Sequence, residues 1–169
     1  MNVSDGWHAI LEAAARGVMP DPELRLDEWA EDNVVLKPPA ALAGPYRLAH
    51  TPMARRILQA LSPRDPAKRV VVLGASQMLK TQVAICAVLG WIDSAPANIL
   101  ALEPTLSLSK RLSKRIADAV AACDAVSPKV ATPRSRDSRN TVDCKDFEGG
   151  AVYITTAGSS ANLAEIPAR

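Results

Sequence analysis

Hydrophobic positions recur at helical spacing in the first third of the chain and gather into continuous apolar runs in the middle. The spacing predicts helices over residues 4–17, 24–30 and 51–61, since apolar side chains there recur every third or fourth position. Thr51 is the predicted N-cap of the third helix, with Pro52 at its first helical position. Proline- and glycine-rich stretches between these segments indicate loops.

The middle of the chain alternates between predicted buried strands and predicted helices. The β-branched run 69–74 predicts a buried strand, followed by a helix over 80–91, a second strand over 98–102 and a helix over 107–123. Residues 141–155 predict a hairpin around a glycine-containing turn, and another short helix is expected from residue 159. Such an order is typical of an α/β fold, with a mostly parallel sheet between layers of helices.

The amino-acid composition argues against several classes of protein but does not identify a function. The 169 residues are 48% hydrophobic and 22% charged, ordinary values for a folded domain, and the aromatic share of 4% argues against a single-strand binder built on stacking. Three widely spaced cysteines without a CxxC pair argue against a zinc site or a disulfide framework, and fit a cytosolic compartment. We expect neither a signal peptide nor a membrane span.

Charge divides the chain unevenly. Residues 1–33 hold eight acidic and two basic side chains, a net charge of −6, whereas the remainder carries +8. Such asymmetry is found in proteins that bind nucleic acid or dock through one arm, although solvated helix faces give the same pattern. We therefore expect an acidic helical segment over residues 1–40, ahead of a basic α/β domain over 41–169.

The sequence GASQMLKT over residues 74–81 carries the most specific chemistry. It is close to the phosphate-loop pattern G-x-x-x-x-G-K-[ST], in which backbone N–H groups and a lysine bind phosphates and a hydroxyl binds Mg²⁺. Gly74, Lys80 and Thr81 occupy the corresponding positions, but Leu79 stands where the pattern has glycine. The alternative is a plain strand–turn–helix connection, in which the lysine would oppose the helix dipole.

Several segments together resemble the GpA-type large terminase subunit of tailed bacteriophages. The loop has that family's G-x-x-Q-x-G-K-T form except at Leu79, and Gln77 matches its glutamine. The other segments that carry the resemblance are WAEDN at 29–33, GPYR at 44–47 with MARRIL at 53–58, EPT at 103–105 and TAGSS at 156–160 with Leu163, Pro167 and Arg169.

The resemblance implies a P-loop NTPase fold and an ATP-driven motor that packages viral DNA. It implies that Gly74, Gln77, Lys80 and Thr81 bind ATP, that Thr81 contacts Mg²⁺, and that Tyr46 lies at the adenine. It further implies double-stranded DNA, a small terminase subunit and the portal of the procapsid as partners, with self-assembly left open, in a bacterial host cytoplasm.

The family continues into a strand ending in Asp-Glu and then a nuclease, and neither is found in these 169 residues. We therefore expect a truncated ATPase domain that binds ATP without multiple turnovers. Two alternatives stay open: a fragment of a superfamily-2-like helicase, and a non-catalytic remnant that acts through protein contacts.

Four cations lie at helical spacing in the predicted helix 107–123, namely Lys110, Arg111, Lys114 and Arg115. A basic stripe on one helix face suits the phosphates of DNA, which a translocating motor contacts without regard to sequence. A merely solvated helix face is the alternative. Arg134, Arg136 and Arg139 in the following polar stretch pose the same choice.

Overall fold

The computed structural model of the protein describes residues 6–8, 10–11, 14, 24–38, 40–131 and 140–158. The helices with defined bounds are α1 (Leu26–Asn33), α2 (Pro52–Ala60), α3 (Lys80–Ser94) and α4 (Leu106–Val120). The strands are β1 (Val35–Leu36), β2 (Gly44–Pro45), β3 (Ile99–Glu103), β4 (Cys144–Phe147) and β5 (Gly150–Thr156). Single 3₁₀ turns span Leu48–His50 and Ser127–Lys129.

The main sheet has three strands in the order β3-β5-β4. The crossover through α4 makes β3 and β5 parallel, whereas the predicted hairpin makes β4 and β5 antiparallel. The hairpin turns at Gly149, whose φ of +90° suits glycine and whose absent Cβ would lie 2.8 Å from a side-chain carbon of Pro96. The α/β class is confirmed, but the observed sheet is small and mixed rather than mostly parallel, because the hairpin reverses one of its three strands.

The predicted buried strand over residues 69–74 is wrong. This stretch pairs with no strand among the described residues, and the side chains of Val71 and Leu73 are 73% and 95% exposed. A β-branched run becomes a strand only where a neighbour satisfies its backbone N–H and C=O groups. The described strands leave it without such a neighbour, because β1 pairs only with β2 and the main sheet holds only β3, β5 and β4.

The core joins the helices to one face of the sheet. α4 packs on β3 and β5, and α3 packs on α4 as well as on α1 and α2. At the α1–α3 contact, Gly90 has no side chain, and a Cβ there would collide with Leu26 and lie 3.2 Å from the Trp29 ring. The glycine in α3 therefore sets how closely α1 approaches.

The buried face of α4 differs from the predicted one. The apolar periodicity of the helix predicted over 107–123 places Leu108, Leu112, Ile116, Ala119 and Val120 inward. The Leu108 side chain is instead 37% exposed, and Ser109 is buried in its place. Ile116 and Val120 are buried as predicted. The Ser109 hydroxyl is satisfied locally, since it donates to the Leu106 carbonyl at 3.0 Å, so that its burial leaves no polar group without a partner.

Two acidic residues of the segment 1–33 bind within the fold. The side chain of Asp27 in α1 is buried, and its Oδ2 accepts hydrogen bonds from Gln59 at 2.8 Å and Arg25 at 3.1 Å. Glu31, one turn later, accepts from the backbone N–H of Leu48 at 2.8 Å, and its other oxygen lies 3.5 Å from Arg55. These two acids therefore attach α1 to α2 and to the turn before it.

Some sequence predictions fall on segments outside the described residues. Arg134, Arg136 and Arg139 and the helix expected from residue 159 are in this group, and of the helix predicted over 4–17 only residues 6–8, 10–11 and 14 are described, all helical. Within the described residues, no helix is long and apolar enough to cross a bilayer.

Candidate functional site

The loop before α3 holds two non-glycine residues in the left-handed region of backbone space. Leu79, immediately before the helix, has φ +48° and ψ −14°, and Gln77 has φ +61°. A left-handed conformation costs an L-residue about 1–2 kcal/mol, a penalty from which glycine is free. Leu79 thus adopts the conformation that the glycine of the phosphate-loop pattern adopts readily, while its half-buried side chain packs on the core.

Three backbone N–H groups of this loop are free to bind a ligand, whereas that of Met78 donates to the Ala75 carbonyl at 3.4 Å. Within the described part of the chain, no acceptor takes the N–H of Ser76, Gln77 or Leu79. The loop leads directly into α3, a helix of 15 residues whose first turn adds further N–H groups and the positive end of its dipole. Free donors and a helix N-terminus together favour an anion.

Lys80 is the first residue of α3, and its side chain folds back over the loop. Its Nζ donates to the backbone carbonyls of Gly74 at 2.8 Å and Ala75 at 2.6 Å. A cation at a helix N-terminus is unfavourable without a compensating negative group, and here two carbonyl oxygens hold it. Thr81 follows in the first turn, with a half-buried side chain.

These groups surround a cavity of about 260 Å³ lined by residues 77–82 and by Arg115 from α4. Gln77, Lys80 and Thr81, three of the residues expected to bind nucleotide, are therefore brought together. Gly74 joins them through its carbonyl contact with Lys80. Two cations, one hydroxyl and several unpaired N–H groups form a site that is chemically suited to a phosphate chain.

Arg115 lines this cavity although the sequence did not indicate it as a nucleotide-binding residue. It was predicted to contact DNA together with Lys110, Arg111 and Lys114, and all four side chains are exposed on α4. Arg115 also reaches the cavity at the loop, whereas Lys114 forms an ion pair with Asp118 at 2.7 Å. Helical spacing alone could not separate Arg115 from the stripe, because the separation depends on how α4 packs beside α3.

Tyr46, expected at the adenine, lies just after β2 with its side chain only 2% exposed. Its hydroxyl is 3.3 Å from the Thr51 hydroxyl, and its backbone N–H donates to the Val34 carbonyl at 2.8 Å. Burial raises the pKa of its phenol. Contact between Tyr46 and an adenine stays a prediction.

Comparison with known families gives one match. A family model described as the ATPase domain of the phage terminase large subunit gpA matches residues 40–169. That range contains the loop, α3, α4 and the whole of the main sheet. No curated protein and no solved structure matches the chain.

Proposed function

The chain belongs to the family of the phage terminase large subunit gpA, in its ATPase domain, and we propose that the loop 74–79 and the N-terminus of α3 bind the phosphates of ATP. The observation that carries this proposal is the left-handed conformation of Leu79 directly before Lys80. This conformation supports the proposal because the glycine that the motif has at this position would adopt it without a steric penalty.

Within this site each residue has a separate task. Lys80 exchanges the carbonyl oxygens of Gly74 and Ala75 for phosphate oxygens, with no loss in the number of its hydrogen bonds. The loop N–H groups donate to the same phosphates, as does the Gln77 amide. The Thr81 hydroxyl would hold Mg²⁺, and the bound metal would neutralise part of the phosphate charge. Arg115 adds a second cation from α4.

We propose that the nucleotide site serves a motor that packages phage DNA. The exposed cations Lys110, Arg111 and Lys114 on α4 support contact with DNA phosphates, since none of them is buried against the fold. The small terminase subunit and the portal are the protein partners that the family implies. The acidic residues of the segment 1–33, apart from Asp27 and Glu31, which bind within the fold, are proposed to contact the small subunit.

Titration of Mg-ATP against the purified protein tests the nucleotide site. We expect saturable binding that Lys80→Ala weakens by about tenfold or more, because the variant loses a charged hydrogen-bond donor. Lys68→Ala is the matched control, since Lys68 is an exposed lysine outside the loop and should leave binding unchanged. Absence of binding at millimolar Mg-ATP, or equal affinity of the wild type and Lys80→Ala, would overturn the proposal.

A further inference from the structure

A cavity of about 390 Å³ lies where the end of α2 meets the residues just before α1. The turn over residues 62–66 closes one side of it. Beside this turn, the indole N–H of Trp91 in α3 donates to the Leu61 carbonyl at 3.0 Å. Trp91 is about 16 Å along the helix axis from Lys80, at 1.5 Å per residue. The cavity is therefore separate from the candidate nucleotide site.

Arginine dominates the wall of this cavity, which we call the arginine cavity. Its polar lining residues are Arg25, Arg56, Gln59, Ser62, Arg64 and Asp65, and their net charge is +2. The neutral groups serve the fold, because the Ser62 hydroxyl donates to the Leu58 carbonyl at 3.1 Å and the Gln59 amide donates to Asp27 at 2.8 Å. The guanidinium groups are therefore the donors that a ligand meets there.

The arginines of this wall are held to different degrees. The guanidinium of Arg25 is fixed by Asp27 at 3.1 Å and Glu28 at 2.8 Å. Arg56 is 78% exposed, and the carboxylate of Asp65 lies 4.0 Å from it. An exposed ion pair at that distance contributes little to stability, so Arg56 can turn to an anion at small cost.

The positive charge continues beyond the cavity. Residues 55–69 hold five basic side chains and one acidic side chain. Arg55 is directed to Asp27 and Glu31, at 3.5 Å from each. The other four basic side chains are exposed, and two of them, Lys68 and Arg69, follow the cavity in the sequence. A small anion would fill the cavity alone, whereas an extended polyanion reaches the whole basic tract.

Duplex DNA is the polyanion that these groups favour. Each guanidinium offers a planar fork of N–H donors that matches two phosphate oxygens. Duplex DNA carries one negative charge per about 1.7 Å of its axis, whereas even a fully acidic extended peptide carries only one per roughly 3.3–3.6 Å. Because the gain from releasing counterions grows with this density, a basic tract binds DNA more strongly than an acidic peptide.

We propose that the arginine cavity and the exposed cations that follow it bind the phosphate backbone of duplex DNA, as a contact separate from the cations of α4. The inference rests on the proposed function, which takes DNA as the substrate of the motor. It adds a DNA contact near the end of α3 that is opposite to the loop. Phosphate contacts carry no base information, so binding here is independent of sequence.

The salt dependence of DNA binding tests the arginine cavity. We expect Arg56→Ala to weaken binding of a duplex of about 25 base pairs by about fivefold at low salt, and to reduce the slope of log K against log salt by about 1, because one phosphate contact is lost. Fluorescence anisotropy at a series of salt concentrations measures both. Arg47→Ala is the matched control, since Arg47 is exposed and lies outside the cavity. Equal slopes for Arg56→Ala and Arg47→Ala would overturn the proposal.

Poly-glutamate of the same net charge as the duplex distinguishes DNA from an acidic protein segment. We expect the wild type to bind the duplex at least about tenfold more tightly, because of its higher charge density. Poly-glutamate that binds as tightly as DNA, with the same loss in Arg56→Ala, would overturn the assignment to DNA.

Failure of this inference differs from failure of the proposed function. If Lys110→Ala weakens DNA binding and Arg56→Ala does not, the DNA contact of α4 stands and the assignment of the arginine cavity is wrong. If the wild type binds no DNA even at low salt, both DNA contacts are wrong. The Mg-ATP titration decides the nucleotide site in either case.

Discussion

Trp29 in α1 donates its indole N–H to the carboxylate of Asp93 in α3, with 2.8 Å between nitrogen and oxygen. The two residues are 64 positions apart in the sequence. The second oxygen of the same carboxylate accepts from Lys129 at 2.7 Å. Asp93 thus connects α1 to the segment that precedes β4. This polar connection lies at the end of α3 opposite to the loop, so that it anchors the helix whose N-terminus forms the candidate site.

Removing the Asp93 carboxylate should destabilise the protein. Asp93→Ala leaves the Trp29 N–H without its acceptor and removes the charged partner of Lys129, whose Nζ keeps only its hydrogen bond to the backbone carbonyl of residue 93. We therefore expect a loss of about 2 kcal/mol in the free energy of unfolding. Urea unfolding followed by circular dichroism measures this change. Asp124→Ala, which alters an exposed acid, should change the free energy by less than about 0.5 kcal/mol. Equal effects of the two variants would refute the role given to Asp93.

Stability should fall in acid because two carboxylates have lowered pKa values. Burial raises the pKa of Asp27 and of Asp93, but hydrogen bonds from Gln59 and Arg25 to the first, and from Lys129 and Trp29 to the second, lower each pKa by more. Their contribution to stability is fully present above the unfolded pKa of about 3.9, and it is lost as the pH falls through the folded-state pKa.

Urea unfolding measured at a series of pH values between neutrality and acid tests this dependence. We expect the loss of stability in acid to be smaller in Asp93→Asn than in the wild type, because the variant lacks one of the two titrating groups. An identical pH dependence in both proteins would show that Asp93 has no lowered pKa.

Gly90 should not tolerate a side chain. A Cβ at this position would collide with Leu26 and crowd Trp29, so we expect Gly90→Ala to destabilise the protein by about 1–3 kcal/mol, despite the higher helix propensity of alanine. Gly158→Ala is a suitable control, because no atom lies within 4 Å of a Cβ there. Thermal unfolding of the two variants gives the comparison, and a stabilised Gly90→Ala would show that α1 does not pack against α3 in this way.

The strain at Leu79 can be measured with two truncations. Leu79→Gly and Leu79→Ala both remove the packing of the leucine side chain, but only glycine adopts φ +48° without a steric penalty. We expect the glycine variant to be more stable than the alanine variant by about 1 kcal/mol, the reverse of the usual order next to a helix. Urea unfolding decides the order, and a more stable alanine variant would argue against a left-handed residue at this position.

The sequence pattern predicted the elements that are specified by nearby residues. It missed the strand pairing and the helix–helix contacts, which depend on residues distant in the sequence. The helix beginning at Lys80, the strand near Ile99 and the hairpin at Gly149 were predicted, since periodicity and turn residues specify them locally. The strand over 69–74 was wrong because pairing partners decide strands. The Asp27–Gln59 contact and the position of Arg115 were missed because both need two helices to be packed together first.

Only part of the candidate site could be predicted from the sequence. The motif grouped Gln77, Lys80 and Thr81, which line one cavity in the structure, and it identified position 79 as the departure from the pattern. That these residues bind nucleotide stays a prediction. The motif could not show that Leu79 retains the glycine-like conformation, since the backbone of a leucine in a loop is set by its surroundings. The expected contact of Tyr46 with adenine and the predicted DNA contacts of α4 stay predictions.

The central claim is that phosphates bind at the loop 74–79 and the first turn of α3. Backbone amide NMR spectra recorded during a titration with Mg-ATP test this claim most directly, because they report on each N–H group separately. The largest shift changes are expected at Ser76, Gln77, Leu79 and Thr81, and in Lys80→Ala they should need about tenfold more Mg-ATP or higher. Saturating shifts confined to the exposed face of α4, with the loop amides unmoved, would contradict it.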